Sequence, residues 1–266
     1  MLRRVPQLAR VARYERRIRA GMARVWENVR DWEHLPWLHR TSFSRIALEE
    51  EGDFGWRARI GLRSGREIRL ELVIEGPRYV SRTLEGDGAG SEIWTTLAPA
   101  GEDATDIEVE FRVPGVSDAA APKLGHAWTQ LYTRLWDEDE AMMQRRSALL
   151  ARGAALRSPP PRDAAPLDLG PADAVRARAP FVVEYAGRPF RVVLLGGELV
   201  AHTTLCPHWL GPLEDAPVEA GAVTCPWHGY RFEIGSGRGC GDAARLRLLP
   251  APRVAVGADG RARLTA

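Results

Sequence analysis

Two short segments near the C-terminal end constrain this chain more than any other feature: Cys206-Pro207-His208 and, sixteen residues further on, Cys225-Pro226-Trp227-His228-Gly229. Each sets one thiol and one imidazole on a tight proline-containing turn, so the pair can close on a single small centre. Two Cys and two His in this arrangement suit a tetrahedral zinc ion. They equally suit an iron–sulfur cluster with both thiolates on one iron and both imidazoles on the other. Zinc sites more often run Cys-x2-Cys before their histidines, whereas each half here carries one Cys and one His.

The second segment continues as Gly229-Tyr230-Arg231-Phe232 and then Gly235-Ser236-Gly237. With that continuation it resembles the Rieske family, whose second loop reads Cys-Pro-Trp-His-Gly-aromatic-x-Phe before a Gly-containing turn. The resemblance covers about the last 90 residues. It implies a [2Fe-2S] cluster held by Cys206, His208, Cys225 and His228. Histidine ligation lifts the potential of such a cluster to roughly −150 to +300 mV. Members at the high end carry a further Cys in each loop, joined as a disulfide. In this chain those places hold Gly211 and Trp227, and the third cysteine, Cys240, has no partner left. The lower-potential kind found in Rieske ferredoxins and oxygenases is therefore expected, in a reducing compartment. Trp227 and Tyr230 are expected to shield the cluster.

A chain of 266 residues is long enough for two modest domains. A net charge of +2 points to neither nucleic acid nor an anionic membrane as partner. Lys123 is the only lysine, a bias that reads as a GC-rich bacterial gene. The basic start Met1-Leu2-Arg3-Arg4 is not followed by an apolar run, and no stretch approaches a membrane span, so a cytoplasmic protein is expected.

In chain order, Val11 to Arg19 reads as a strand and Met22 to Trp32 as a helix, with Pro36 interrupting it or starting a second short one. Six segments of two-residue alternation follow, at about 42–50, 53–62, 66–75, 78–85, 91–98 and 104–113. Trp56, Ala58, Ile60, Leu70, Leu72, Ile107, Val109 and Phe111 mark one face; arginines and glutamates mark the other. A long helix over about 121–152 carries Leu124, Trp128, Leu131, Leu135, Met142 and Leu149 as its apolar stripe. The order is similar to the helix-grip fold of the START/Bet v 1 superfamily and of Rieske oxygenase catalytic domains, which implies an α+β chain with an apolar cavity between sheet and last helix. The expected organisation is a helix-grip domain at 1–152, a Pro/Ala-rich linker at 153–171 and an all-β Rieske domain at 172–266.

Asp31-x2-His34-x4-His39 is the pattern on which Rieske oxygenases bind a mononuclear non-haem iron, with a third ligand from an Asp on the final helix. Within Asp137-Glu138-Asp139-Glu140, Asp139 falls on the apolar stripe by helical spacing, where an unpaired carboxylate is costly; Glu138 is the reserve. The other three point further from the stripe.

The resemblance then implies a Rieske non-haem iron oxygenase. Fe(II) on His34, His39 and Asp139 would activate O2 beside a small hydrophobic substrate, with electrons from an NAD(P)H-dependent reductase or ferredoxin. Asp31 would be the bridging carboxylate between His34 and His228, in a homotrimer. The domain order is reversed relative to that family. The rival reading is a Rieske electron carrier fused to a non-catalytic ligand-binding module. A weaker one is a zinc-stabilised binding protein. Trp56, Ile60, Leu70, Leu72, Ile93, Val109 and Phe111 are the candidate cavity walls.

Overall fold

The computed structural model describes residues 8–153 and 158–266. The basic start Met1–Arg4 and residues 154–157 of the expected linker lie outside the described residues. The chain divides into two compact units, Met1–Ser147 and Ala148–Ala266.

The first unit opens with β1 (Leu8–Ile18), then α1 (Met22–Arg30) and the single-turn α2 (Leu35–Leu38). Six strands follow: β2 (Phe43–Gly52), β3 (Gly55–Leu62), β4 (Glu67–Glu75), β5 (Arg78–Glu85), β6 (Glu92–Pro99) and β7 (Thr105–Pro114). The helix α3 (Ala121–Ala151) closes the unit. The seven strands make one antiparallel sheet in the order β1-β7-β6-β5-β4-β3-β2. Consecutive strands from β2 to β7 are neighbours because each alternating run is followed by a short turn. Period-two alternation sends Trp56, Ala58, Ile60, Leu72 and Ile107 to one face, where they bury with Trp136 and Met143 of α3. The opposite face carries cross-strand ion pairs such as Arg57–Glu71 and Arg69–Glu49. This is the helix-grip arrangement.

The buried face of α3 differs from the expected stripe. Gly125, Trp136, Asp139, Glu140, Met142 and Met143 are buried, while Leu131 and Leu149 are only half-buried. The face is rotated because α3 must pass close to β1. A Cβ at Gly125 would stand 2.4 Å from the Val11 carbonyl oxygen, so only glycine permits that approach. Rotation also carries Glu140 inward, against the expectation that it points away. Its cost is met by an ion pair with Arg16, the Arg19 backbone N–H at 2.9 Å and Gln144 at 2.8 Å.

The second unit is built from short strands. β8 (Leu167–Pro171) and α4 (Ala172–Arg178) come first. β9 (Phe181–Tyr185), β10 (Arg188–Leu195) and β11 (Glu198–Thr203) form one three-stranded sheet. β12 (Val218–Glu219), β13 (Ala222–Thr224), β14 (Arg231–Glu233) and β15 (Gly239–Cys240) form a second sheet, and β16 (Arg253–Val256) and β17 (Arg261–Thr265) join β8 in a third. The expected linker therefore ends earlier than residue 171. Leu167 packs in the core of this unit, and β8 pairs with β17 from Leu264↔Leu167 to Arg261↔Pro171. Among the described residues no helix is long and apolar enough to cross a membrane.

His202 on β11 is buried, donates Nδ1–H to the Thr203 carbonyl at 2.8 Å, and leaves Nε2 without a partner. Burial first, and then the Arg191 charge, lower its pKa to about 4 despite the Thr203 hydrogen bond. The unfolded chain takes up this proton near the ordinary value of about 6.5, so stability is full above that pH and is lost as pH falls toward 4. Between pH 7 and pH 5 the loss from this group is about 2 kcal/mol. Chemical denaturation of the whole chain at both pH values is expected to show that difference shrinking in His202→Leu; an unchanged difference would refute it.

Candidate metal centres

The first site is made at the junction of α1 and α2 and completed by α3. The α1 helix stops at Arg30, Asp31 leaves in extended conformation, and α2 is a single turn with Pro36 near its start. His34 precedes α2 and His39 follows it. The turn is held by Leu38 N–H to the His34 carbonyl at 2.8 Å, and Phe43 N–H to the His39 carbonyl at 3.0 Å anchors its exit. The two imidazoles lie 5.1 Å apart, nearly perpendicular.

Asp139 meets both. Its Oδ1 lies 3.2 Å from His39 Nε2 and 3.5 Å from His34 Nε2, and a set of ligand atoms from the three residues lies within 4.8 Å of one another. All three residues are buried. The other ring nitrogens face carboxylates: Glu138 Oε2 is 2.7 Å from His39 Nδ1, and Asp31 Oδ2 is 3.3 Å from His34 Nδ1. Glu138, the reserve ligand, thus stands behind an imidazole. Asn28 Nδ2 donates to Asp139 Oδ1 at 3.1 Å. Burial works against the Asp139 carboxylate, yet His39, His34 and Asn28 hold its pKa below the ordinary value. Burial likewise works against charge on His39, and Asp139 with Glu138 raises it all the same. The donor set fits a divalent metal: ligands about 2.1 Å from an ion and at right angles stand about 3 Å apart, near the spacings found here. Asn28 and the Glu138 role had no signal in the sequence short of the fold itself.

Beside this cluster lies a cavity of about 130 Å³. Trp56, Ile60, Leu70 and Leu72 line it as expected, together with Tyr79, Ser81, Tyr132 and Trp136. Ile93, Val109 and Phe111 do not. They form a separate packed cluster with Trp128 and Tyr132 against β1. Phe111 has a ring-to-ring distance of 4.9 Å to Tyr132, which fills that end of the space between sheet and helix.

The second site is made by two loops of the same backbone design. In the first, Cys206 N–H donates to the Gly211 carbonyl at 2.9 Å and Leu210 N–H to the Cys206 carbonyl at 3.0 Å. In the second, Cys225 N–H donates to the Tyr230 carbonyl and Gly229 N–H to the Cys225 carbonyl, both at 2.9 Å. Leu210 and Gly229 occupy matching left-handed positions, with φ of 65° and 69°. The Cys206 thiol is pushed well up, first by its hydrogen bond with Cys225 and then by burial, while backbone N–H groups of His208 and Trp209 act the other way. The His208 and His228 rings lie 4.6 Å apart. Two thiols side by side and two imidazoles side by side fit a cluster with both Cys on one iron and both His on the other.

Tyr230 packs 4.7 Å from His208. Trp227 instead leans on Gly211: a Cβ at Gly211 would lie 3.2 Å from its ring and 2.7 Å from Cys225 Sγ. Tyr230 also stands 6.1 Å from His228, and Trp209 joins it against both histidines, at 5.8 Å from His208 and 5.4 Å from His228. Sequence reading passed over Trp209, although its place directly after His208 was a usable signal. Cys240 on β15 is half-exposed and free.

Residues 165–249 match the Rieske [2Fe-2S] domain family. No curated protein matches the chain. Among solved structures, a START superfamily protein from Mycobacterium smegmatis is similar at 15% identity, covering 52% of this chain and 98% of that one, with a TM-score of 0.43. The Zhui aromatase/cyclase from Streptomyces sp. R1128 is similar at 13% identity, covering 51% and 94%, with a TM-score of 0.43. The ferredoxin of carbazole 1,9a-dioxygenase from Nocardioides aromaticivorans IC177 is similar at 22% identity, covering 38% and 96%, with a TM-score of 0.33. Residues 165–249, about a third of the chain, form a Rieske [2Fe-2S] domain, and it follows a helix-grip domain.

Proposed function

We propose that the chain is the oxygenase component of a Rieske non-haem iron system acting on a small hydrophobic substrate. The observation that carries this reading is the convergence of His34, His39 and Asp139, from segments about 100 residues apart, beside an apolar cavity in a chain with a Rieske domain. When bound, Fe(II) supplies dioxygen activation and the [2Fe-2S] cluster supplies electrons one at a time. The chain's own residues do the rest. His34 and His39 present Nε2 to the ion and Asp139 a carboxylate oxygen. Asp31 and Glu138 stand on the Nδ1 sides and fix the ring orientation. Asn28 restrains the Asp139 carboxylate. Trp56, Leu70, Leu72 and Trp136 exclude water and hold the substrate against the His/Asp cluster. Electrons come from an NAD(P)H-dependent reductase or ferredoxin.

Total iron and acid-labile sulfide on anaerobically purified protein test this reading. About three irons to two sulfides per chain is the expected result. About two irons to two sulfides, unchanged after ferrous iron is added, would overturn it in favour of an electron carrier joined to a binding module.

A further inference from the structure

The cavity beside His34, His39 and Asp139 carries information about what it holds. Its volume of about 130 Å³ sits below the 300–1,000 Å³ of ordinary small-molecule pockets and close to the ~150 Å³ of a dry engineered cavity that takes benzene. An ion at one end leaves less. That size suits one six-membered ring better than two fused ones.

Charge narrows the class further. The lining contains Asp31 and Asp139 and, among the described residues, no lysine or arginine. The two carboxylates already match the charge of a divalent ion on His34, His39 and Asp139, so a carboxylate or phosphate would find no basic side chain to pair with and would have to compete with them for that ion.

The polar groups give the last constraint. Ser81 sits on β5 between Leu72 of β4 and Ile93 of β6, in a row whose neighbours both point into the core. It is 9% exposed, and its hydroxyl makes no side-chain hydrogen bond among the described residues. Across the cavity Tyr132 of α3 has its ring fixed edge-on to Phe111, and its hydroxyl likewise makes none. Two hydroxyls without a protein partner thus line an otherwise largely apolar stretch of the cavity wall, and such groups are satisfied only by what the cavity holds. A ligand oxygen satisfies them.

We infer that the cavity selects a neutral molecule no larger than one substituted ring, carrying one oxygen substituent that Ser81 and Tyr132 hydrogen-bond. The inference rests on the oxygenase reading only for what becomes of the ligand; binding itself needs no iron.

Calorimetric titration of the full chain with phenol, benzene, benzoate and 1-naphthol tests it. Phenol is expected to bind tightest, with benzoate weaker by about thirtyfold or more. The double variant Ser81→Ala/Tyr132→Phe should weaken phenol about tenfold and leave benzene unchanged, the benzene value reporting that the cavity is intact. Should the double variant not fold, the ratio of phenol to benzene affinity in Ser81→Ala alone gives the same answer, falling severalfold. Benzoate binding as tightly as phenol, 1-naphthol binding more tightly, or an unchanged phenol-to-benzene ratio would each overturn the inference. Phenol binding in a protein with about two irons per chain would leave the cavity inference standing and remove the oxygenase reading. Three irons without phenol binding would do the reverse.

Discussion

Replacing Asp139 by alanine is expected to take iron from about three to about two per chain with sulfide unchanged, and to lower substrate oxidation by at least about a thousandfold. Among the described residues the carboxylate is the only anionic donor within reach of both Nε2 atoms, at 3.2 and 3.5 Å. Without it two neutral imidazoles remain, and a hard ferrous ion is poorly held by them alone. The cluster absorption should survive, since Cys206, His208, Cys225 and His228 all belong to the other unit. Asp139→Asn keeps the side-chain shape and an oxygen for Asn28, so it separates loss of the ligand from loss of the fold. The series gains resolution from Glu138→Gln. That side chain hydrogen-bonds the far nitrogen of His39, at 2.7 Å, and its replacement should weaken metal binding by about 10- to 100-fold without abolishing it. Cobalt or ferrous titration reads the difference. If Asp139→Ala keeps its third iron and its turnover, the proposed centre is wrong.

The strands were legible because alternation with a period of two is a consequence of burying one face, and six runs in succession left little choice of topology. Asp139 was legible for a related reason: a carboxylate spaced onto an apolar stripe needs a partner. The stripe itself was less so. Leu131 and Leu149 are as hydrophobic as the residues that bury, but the contact of Gly125 with Val11 sets the helix rotation, and that contact spans more than a hundred residues. Glu140 follows from the same rotation, its burial depending on Arg16 and the Arg19 backbone. Val109 and Phe111 were read as cavity walls because pattern tells which face a side chain takes, not whether a neighbour such as Tyr132 fills the space before it. The β8 strand was hidden by composition. A Pro- and Ala-rich stretch looks like linker until its pairing with β17 is known, and that partner lies near the far end of the chain.

In the Rieske loops the most demanding position is a glycine. Gly211→Ala is expected to yield protein well short of a full cluster, losing what it has at least about fivefold faster under a chelator than the parent. A Cβ there would lie 2.7 Å from Cys225 Sγ, and that sulfur cannot retreat when it is bound to iron. The other side is closed by the Trp227 ring at 3.2 Å. Overpacking of this kind costs about 1–3 kcal/mol, and here it falls on a ligand bond instead of a pliable side chain. Gly211 and Trp227 stand where the high-potential relatives would place two cysteines, so in this chain the clamp between the loops is a tryptophan face on a glycine. The backbone of Gly211 is not in the left-handed region, so alanine brings no strain of its own, and the effect is steric. Gly235→Ala is the control: it shares that backbone freedom and has nothing within 4 Å of the added carbon. Visible absorption and sulfide content of the two variants decide the matter. A full, equally durable cluster in Gly211→Ala would show that the two loops can part without losing their iron, and that the tight contact at Gly211 is incidental to cluster binding.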